Sequence, residues 1–176
     1  PQIRIIEGFH KKIIPLAVQC NVDLIWVHPP SPVFESTLGY NLNKSKIPTL
    51  VIETGIALRI NQDFVNQLFK GMLNLLYHLG VITTDKIQLK VNYPIIIQPS
   101  QVVILQSDFP GLFIANTDIK TNVSKGDIIG KVVDAMNGKI LKEIIAPDNG
   151  FLFTLREHPL VYPGELLARI ALKEID

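Results

Sequence analysis

At 176 residues the chain can form one domain or two small ones with a proper core, and 47% hydrophobic against 19% charged residues excludes a disordered chain. A net charge of +1 without any basic stripe removes the electrostatic footprint of a nucleic-acid binder. No apolar stretch nears the roughly 18–20 residues of a membrane span, the amino terminus lacks a signal-peptide shape, and a lone cysteine, Cys20, allows no internal disulfide, so a reducing, cytoplasmic setting is expected.

The chain opens without Met on Pro1-Gln2-Ile3-Arg4-Ile5-Ile6, as a fragment or a processed product would. Residues 9–20 read as a helix with Phe9, Ile13, Leu16, Ala17 and Cys20 on one face, shortened or kinked by Pro15. Val22 to Val27 reads as a strand ended by His28-Pro29-Pro30, and one helix is expected over residues 33–43. Thr49 to Ile52, bounded by Pro48 and Gly55, reads as a buried strand with Glu53 at its tip. A carboxylate there loses hydration, at a cost on the order of several kcal/mol, unless a hydrogen bond, a cation or a metal compensates. Otherwise Glu53 simply turns outward as the strand ends.

Residues 62–79 carry the strongest helical period, through Val65, Leu68, Phe69, Met72, Leu75, Leu76 and Leu79. Asn61 or Asp63 can cap its start, and Gly80 stands where a left-handed cap belongs. Alternating strands and helices imply α/β layers, but two or three strands make too small a sheet to be covered on both faces. Residues 1–84 therefore read as the carboxy-terminal part of a larger α/β domain.

From 85 to 176 the period becomes β-like, with runs at Ile87 to Val91, Ile95 to Ile97 and Val102 to Leu105, followed by an internal repeat. Pro110-Gly111-Leu112-Phe113 leads to Val123-Ser124-Lys125-Gly126-Asp127, and Asn149-Gly150-Phe151-Leu152 leads to Val161-Tyr162-Pro163-Gly164-Glu165. Each glycine is expected to supply a positive-φ turn, and each acidic residue to close a turn by accepting from backbone N–H groups. Two such halves related by a pseudo-twofold make an all-β barrel or sandwich of about eight strands. The repeat resembles the barrel-sandwich hybrid of biotinyl and lipoyl carrier domains. The hairpin Asp134-Ala135-Met136-Asn137-Gly138-Lys139, however, puts Asn137 where a carrier has its modified lysine, so kinship of fold without that chemistry is the reading.

Four histidines invite a zinc-ligand test. Glu7 and His10 are three apart and would share a helix face, with Gly8 between them. His28 ends its strand at the sheet edge where Glu53 sits if the two strands run parallel, and reads as a pocket-lining residue or a turn residue ahead of Pro29. His78 falls in the last turn of the long helix and His158 in a loop before Pro159, both structural. No Gly-rich phosphate loop, serine nucleophile elbow or His-Glu-x-x-His motif occurs, so no complete active site can be assembled.

Val22 to Pro29, Ile47 to Gly55, Arg59 and the helix to Gly80 together resemble the later part of the succinylglutamate desuccinylase/aspartoacylase family, zinc-dependent deacylases of the carboxypeptidase-like superfamily. Val123 to Asp127 and Ala146 to Gly150 match signatures of the β-domain which that family appends. The resemblance implies a hydrolase cleaving the amide of an N-acyl amino acid or similar small molecule. Glu53 matches the family's general base, which activates the attacking water and then protonates the leaving amine. It also implies zinc. The family's His-x-x-Glu and Asp-Leu-His ligand motifs do not occur in this chain, so the metal is expected on residues upstream of Pro1, together with the Asn and Arg that bind the substrate carboxylate. Arg59 matches no family role. The β-domain is expected to restrict access to the site or to build a homo-oligomer contact. The alternative is a non-catalytic binding or assembly protein that retains the scaffold.

Overall fold

In the computed structural model, which describes residues 1–56, 58–83 and 90–172, a mixed four-stranded sheet carries the first half of the chain. Its elements are β1 (Gln2–Ile6), α1 (His10–Val18), β2 (Leu24–His28), α2 (Pro32–Glu35), α3 (Leu38–Lys44), β3 (Val51–Glu53), α4 (Gln62–His78) and β4 (Ile95–Ile97). The strand order is β3-β1-β2-β4. β1 runs parallel to β2, and β2 to β4, whereas β3 is antiparallel to β1. The chain divides into two units, Pro1–Pro99 and Ser100–Asp176. Ile95–Ile97, on the far side of the boundary expected at 84/85, ladders onto Leu24–Trp26 and so counts with the first unit. Of the expected run Ile87 to Val91, residues 87–89 lie outside the described residues.

In β1, which the sequence reading leaves unassigned, polar and apolar residues alternate at the two-residue period of a strand. Ile3 and Ile5 turn to a core shared with Ile13 and Ala17 of α1, Cys20, Val22 and Ile25, against which Leu68 and Leu75 of α4 pack. Pro15 is accommodated inside α1. The helix expected over 33–43 is broken in two, because Thr37 is extended and caps α3 by accepting from the Tyr40 N–H at 3.3 Å.

α4 begins at the Asn61 cap, whose side chain accepts from the Asp63 and Phe64 amides at 3.1 Å, and ends before Gly80 at φ +69°. Its apolar stripe is only partly the buried one. Val65, Phe69 and Met72 are exposed, while Gly71 and Asn74 are buried. Polar bonds choose that face. Gln67 Nε2 donates to the Asn21 carbonyl at 2.6 Å and to Asp23 Oδ1 at 3.0 Å. Asn74 Nδ2 donates to Asn21 Oδ1 at 3.1 Å, which also accepts from the Asn92 amide at 3.0 Å.

The second unit holds β5 (Val102–Gln106), β6 (Gly111–Ala115), β7 (Thr121–Val123), β8 (Ile128–Val133), β9 (Ile140–Ile145), β10 (Gly150–Leu155), β11 (Leu160–Val161) and β12 (Leu166–Leu172). They form two open antiparallel sheets, β5-β12-β10-β7 and β11-β6-β8-β9. Advancing each strand of β5–β8 by four turns one sheet order into the other, so the repeat is a pseudo-twofold in which each half lends strands to both sheets. Phe113, Ile129 and Val132 from one sheet and Leu152, Leu167 and Ile170 from the other share one core.

The acidic turn closures are present in both copies: Asp127 Oδ2 accepts from the Ser124 amide at 2.8 Å and Glu165 Oε2 from the Tyr162 amide at 3.0 Å. Gly126 and Gly164 have positive φ, at +94° and +83°. Gly111 and Gly150 do not, contrary to expectation. Crowding requires glycine there instead. A Cβ on Gly111 would stand 2.4 Å from the Val133 carbonyl oxygen, and one on Gly150 would stand 2.5 Å from that of Ala171. At the β8–β9 hairpin Asp134 Oδ1 accepts from the Met136 and Asn137 amides at 2.8 and 3.1 Å, and Gly138 takes φ +73°.

Candidate active site

Residues paired across a ladder project to one face of their sheet. Gln2 faces Glu53 across β1 and β3, and Arg4 and Ile6 face Trp26 and His28 across β1 and β2. Gln2, Arg4, Trp26, His28 and Glu53 therefore occupy the face opposite Ile3, Ile5 and Ile25. The sequence reading puts Glu53 on a buried strand; β3 is instead a three-residue edge strand whose Val51 is exposed and whose Glu53 side chain is 43% exposed. Residues 45–50 form a short connection from α3 into β3. Asn43 ties that connection down: its Nδ2 donates to the carbonyls of Gly39 and Thr49 at 2.9 and 3.0 Å, and its Oδ1 accepts from the Thr49 amide at 3.0 Å.

Glu53 is not left to solvent. Its Oε2 accepts from Gln2 Nε2 at 2.8 Å and lies 2.9 Å from Arg4 Nε. The second contact is an ion pair by distance, but the Nε–H direction does not meet hydrogen-bond geometry. Attraction there is Coulombic, and partial exposure keeps it modest. The Arg4 guanidinium also stands 5.3 Å over the Trp26 ring, and Trp26 packs on His28 with centroids 3.8 Å apart. His28 in turn meets Phe34 at 5.3 Å.

Of these side chains Arg4, His28, Phe34 and Glu53 line a cavity of about 150 Å³, with Phe9 and Tyr40 also among its walls. The sequence reading sets His28 beside Glu53 on condition that their strands run parallel. The strands run antiparallel, so Glu53 sits opposite Gln2 at one end of β1 and His28 opposite Ile6 at the other, and both still reach the cavity. Pocket lining is the role the fold gives His28.

The other candidates fall elsewhere. Glu7 lies in the turn before α1, not on it, and His10 Nδ1 accepts from the Gly8 amide at 3.2 Å, so the two share no helix face. His78 is in the last turn of α4, and the His158 carbonyl accepts from Arg156 Nε at 2.8 Å. Arg59 is exposed, bridged to Ile56, and absent from the cavity wall. Burial pushes the Cys20 thiol up to about 11, which makes it a poor nucleophile. Among the described residues no group of three or more His, Cys, Asp or Glu side chains could hold a metal ion, so these residues do not fit the expected zinc. Sequence reasoning missed Gln2, Arg4, Trp26 and Tyr40. The available signal was the polar alternation of Gln2 and Arg4 with Ile3 and Ile5.

A mixed α/β sheet joined in sequence to two antiparallel sheets is the fold found over about half the length of succinylglutamate desuccinylase/aspartoacylase structures. A succinylglutamate desuccinylase from Silicibacter superposes at TM-score 0.80 and 18% identity, covering 98% of this chain and 53% of that one. The family member from Rhodobacter sphaeroides gives 0.76 at 18% identity, over 99% and 54%. The product-bound ectoine utilization protein of Ruegeria pomeroyi gives 0.79 at 14%, over 97% and 53%. The chain thus spans about half the length of the structures it matches. No family model matches it, and no curated protein does. No helix among the described residues is long and apolar enough to cross a membrane.

Proposed function

We propose that this chain is the carboxy-terminal part of a zinc-dependent hydrolase that cleaves the amide bond of an N-acyl amino acid or a similar small molecule, with Glu53 as general base. The observation that carries it is the placement of Glu53: a carboxylate on the wall of a cavity, fixed through one oxygen, in a chain with the fold of desuccinylase/aspartoacylase structures. A base fixed in this way can take a proton from an attacking water and return it to the leaving nitrogen, provided the scissile amide lies within hydrogen-bond reach. The zinc would be held by residues outside these 176. The second unit is read as a relative of the barrel-sandwich hybrids, with a role in restricting access to the site or in joining copies of the protein. Buried Cys20, the only cysteine, suits a reducing cytoplasm.

The test is the complete native polypeptide, assayed for metal content and for release of amino acid from a panel of N-acyl amino acids, beside Glu53→Gln. About one zinc per chain, with turnover lost in the variant, supports the reading. Undiminished turnover in Glu53→Gln removes Glu53 as the base. An intact polypeptide that binds no zinc and hydrolyses no member of the panel favours a binding or assembly protein that retains the scaffold.

A further inference from the structure

We infer that Arg4, assisted by Gln2, is a positioning residue for Glu53, an inference that rests on the general-base reading above. The two oxygens of the Glu53 carboxylate are unequal. Oε2 takes both contacts, from Gln2 Nε2 at 2.8 Å and Arg4 Nε at 2.9 Å, while Oε1 receives none from the described residues. Proton transfer needs one oxygen free and its direction fixed. The anchoring pair sits on β1, a strand hydrogen-bonded on both sides, whereas Glu53 ends a three-residue edge strand. An edge carboxylate, 43% exposed, would otherwise sample several rotamers.

Arg4 is itself held. Its guanidinium lies over Trp26, which is 7% exposed, and its side chain is only 26% exposed. Trp26 is fixed by β2 between β1 and β4 and by its stack on His28. Orientation therefore passes from the sheet interior, through Trp26 and Arg4, to the edge where Glu53 ends. Nothing in this chain of contacts requires Arg4 to touch substrate.

The experiment compares Arg4→Gln, Arg4→Lys, Glu53→Gln and the double variant Arg4→Gln/Glu53→Gln in the complete native polypeptide, with the ¹³C carboxyl resonance of Glu53 as a readout independent of turnover. Arg4→Gln is expected to lower kcat on the order of 10²-fold with KM within about twofold, the size of effect that misplacing a catalytic group produces. It should add no further loss on top of Glu53→Gln, and it should shift or split the Glu53 resonance. Arg4→Lys keeps the charge and should recover part of kcat; it also serves where Arg4→Gln does not fold. An unchanged Glu53 resonance, or full kcat in Arg4→Gln while Glu53→Gln is inactive, overturns the positioning role and leaves the base in place. Losses that multiply in the double variant assign Arg4 a structural role and also overturn it. Full activity of Glu53→Gln instead removes the base, and the positioning role with it.

Discussion

Gly71, in the middle of α4, lies so close to Cys20 that a Cβ on it would stand 1.9 Å from the Cys20 carbonyl oxygen. That contact seats the helix on the sheet, with Asn74 one turn on bonded to Asn21. Helix propensity alone makes Gly71→Ala stabilising by about 1 kcal/mol. The contact reverses the sign, because α4 must move off the loop for the methyl to fit, and overpacking of this kind costs about 3 kcal/mol. Trp26 is the only tryptophan and lies in the first unit, so urea unfolding followed by its fluorescence reads this change directly. A midpoint equal to or above the parent's would contradict it.

Cys20 gives a pH prediction of definite sign. Burial lifts its thiol from 9.0 to about 11, so above pH 9 the unfolded chain loses this proton while the folded chain keeps it. The folded state then binds more protons, and stability falls as pH rises, by about 1.4 kcal/mol per pH unit between the two values. Below pH 9 the contribution is fully present and flat. Other groups titrate in the same window, so the readout is the difference in slope between the parent and Cys20→Ala from pH 8 to 11. Parallel slopes would refute the assignment.

What could be read from the sequence is what short-range chemistry determines. The Asn61 cap, the Gly80 stop and the Asp127 and Glu165 turn closures are all settled within three or four residues, and all are present. The direction of β3 is not local. It depends on Asn43 bonding Thr49 across six residues and on pairing with Gln2 and Arg4 some fifty residues away. The antiparallel sense therefore did not show in the run Thr49 to Ile52, and the outward turn of Glu53 stood there only as the alternative reading. The buried face of α4 is set by Gly71 and Asn74, which a hydrophobic period counts as gaps. Glu53 was singled out from its place in the strand; Gln2 and Arg4, its partners, stand in the alternating run Gln2 to Ile6, a local signal that went unread.

The two acidic turns of the repeat separate in strength. Asp127 accepts from one described donor, the Ser124 amide, while Glu165 Oε2 accepts from the Tyr162 amide and from Arg156 Nη2, both at 3.0 Å. Arg156 Nη2 also donates to the Leu160 carbonyl at 2.6 Å, so Glu165 anchors the strand end as well as the turn. Asp127→Ala should cost about 1 kcal/mol, the usual net value of one hydrogen bond, and Glu165→Ala about 2. Denaturant-dependent hydrogen exchange in the second unit resolves the pair. Equal losses would mean that the Arg156 contact contributes nothing.

The repeat glycines divide into two classes that alanine should tell apart. At Gly126 a Cβ meets nothing within 4 Å, so Gly126→Ala bears only the strain of φ +94° in an L-residue, about 1–2 kcal/mol. At Gly150 the backbone is unstrained, but a Cβ would stand 2.4 Å from Ile170 Cγ2 and 2.5 Å from the Ala171 carbonyl oxygen. Ile170 is fully buried and Ala171 belongs to β12, so relief requires parting β10 from the strand it ladders with. Gly150→Ala should cost about 3 kcal/mol or more and loosen β12 first. The pseudo-twofold extends the prediction: Gly111→Ala, facing the Val133 carbonyl, should behave like Gly150→Ala, and Gly164→Ala like Gly126→Ala. Amide exchange rates along β8 and β12 in the four variants provide the measurement. If Gly126→Ala proves costlier than Gly150→Ala, conformational strain rather than strand contact is what selects glycine in this repeat.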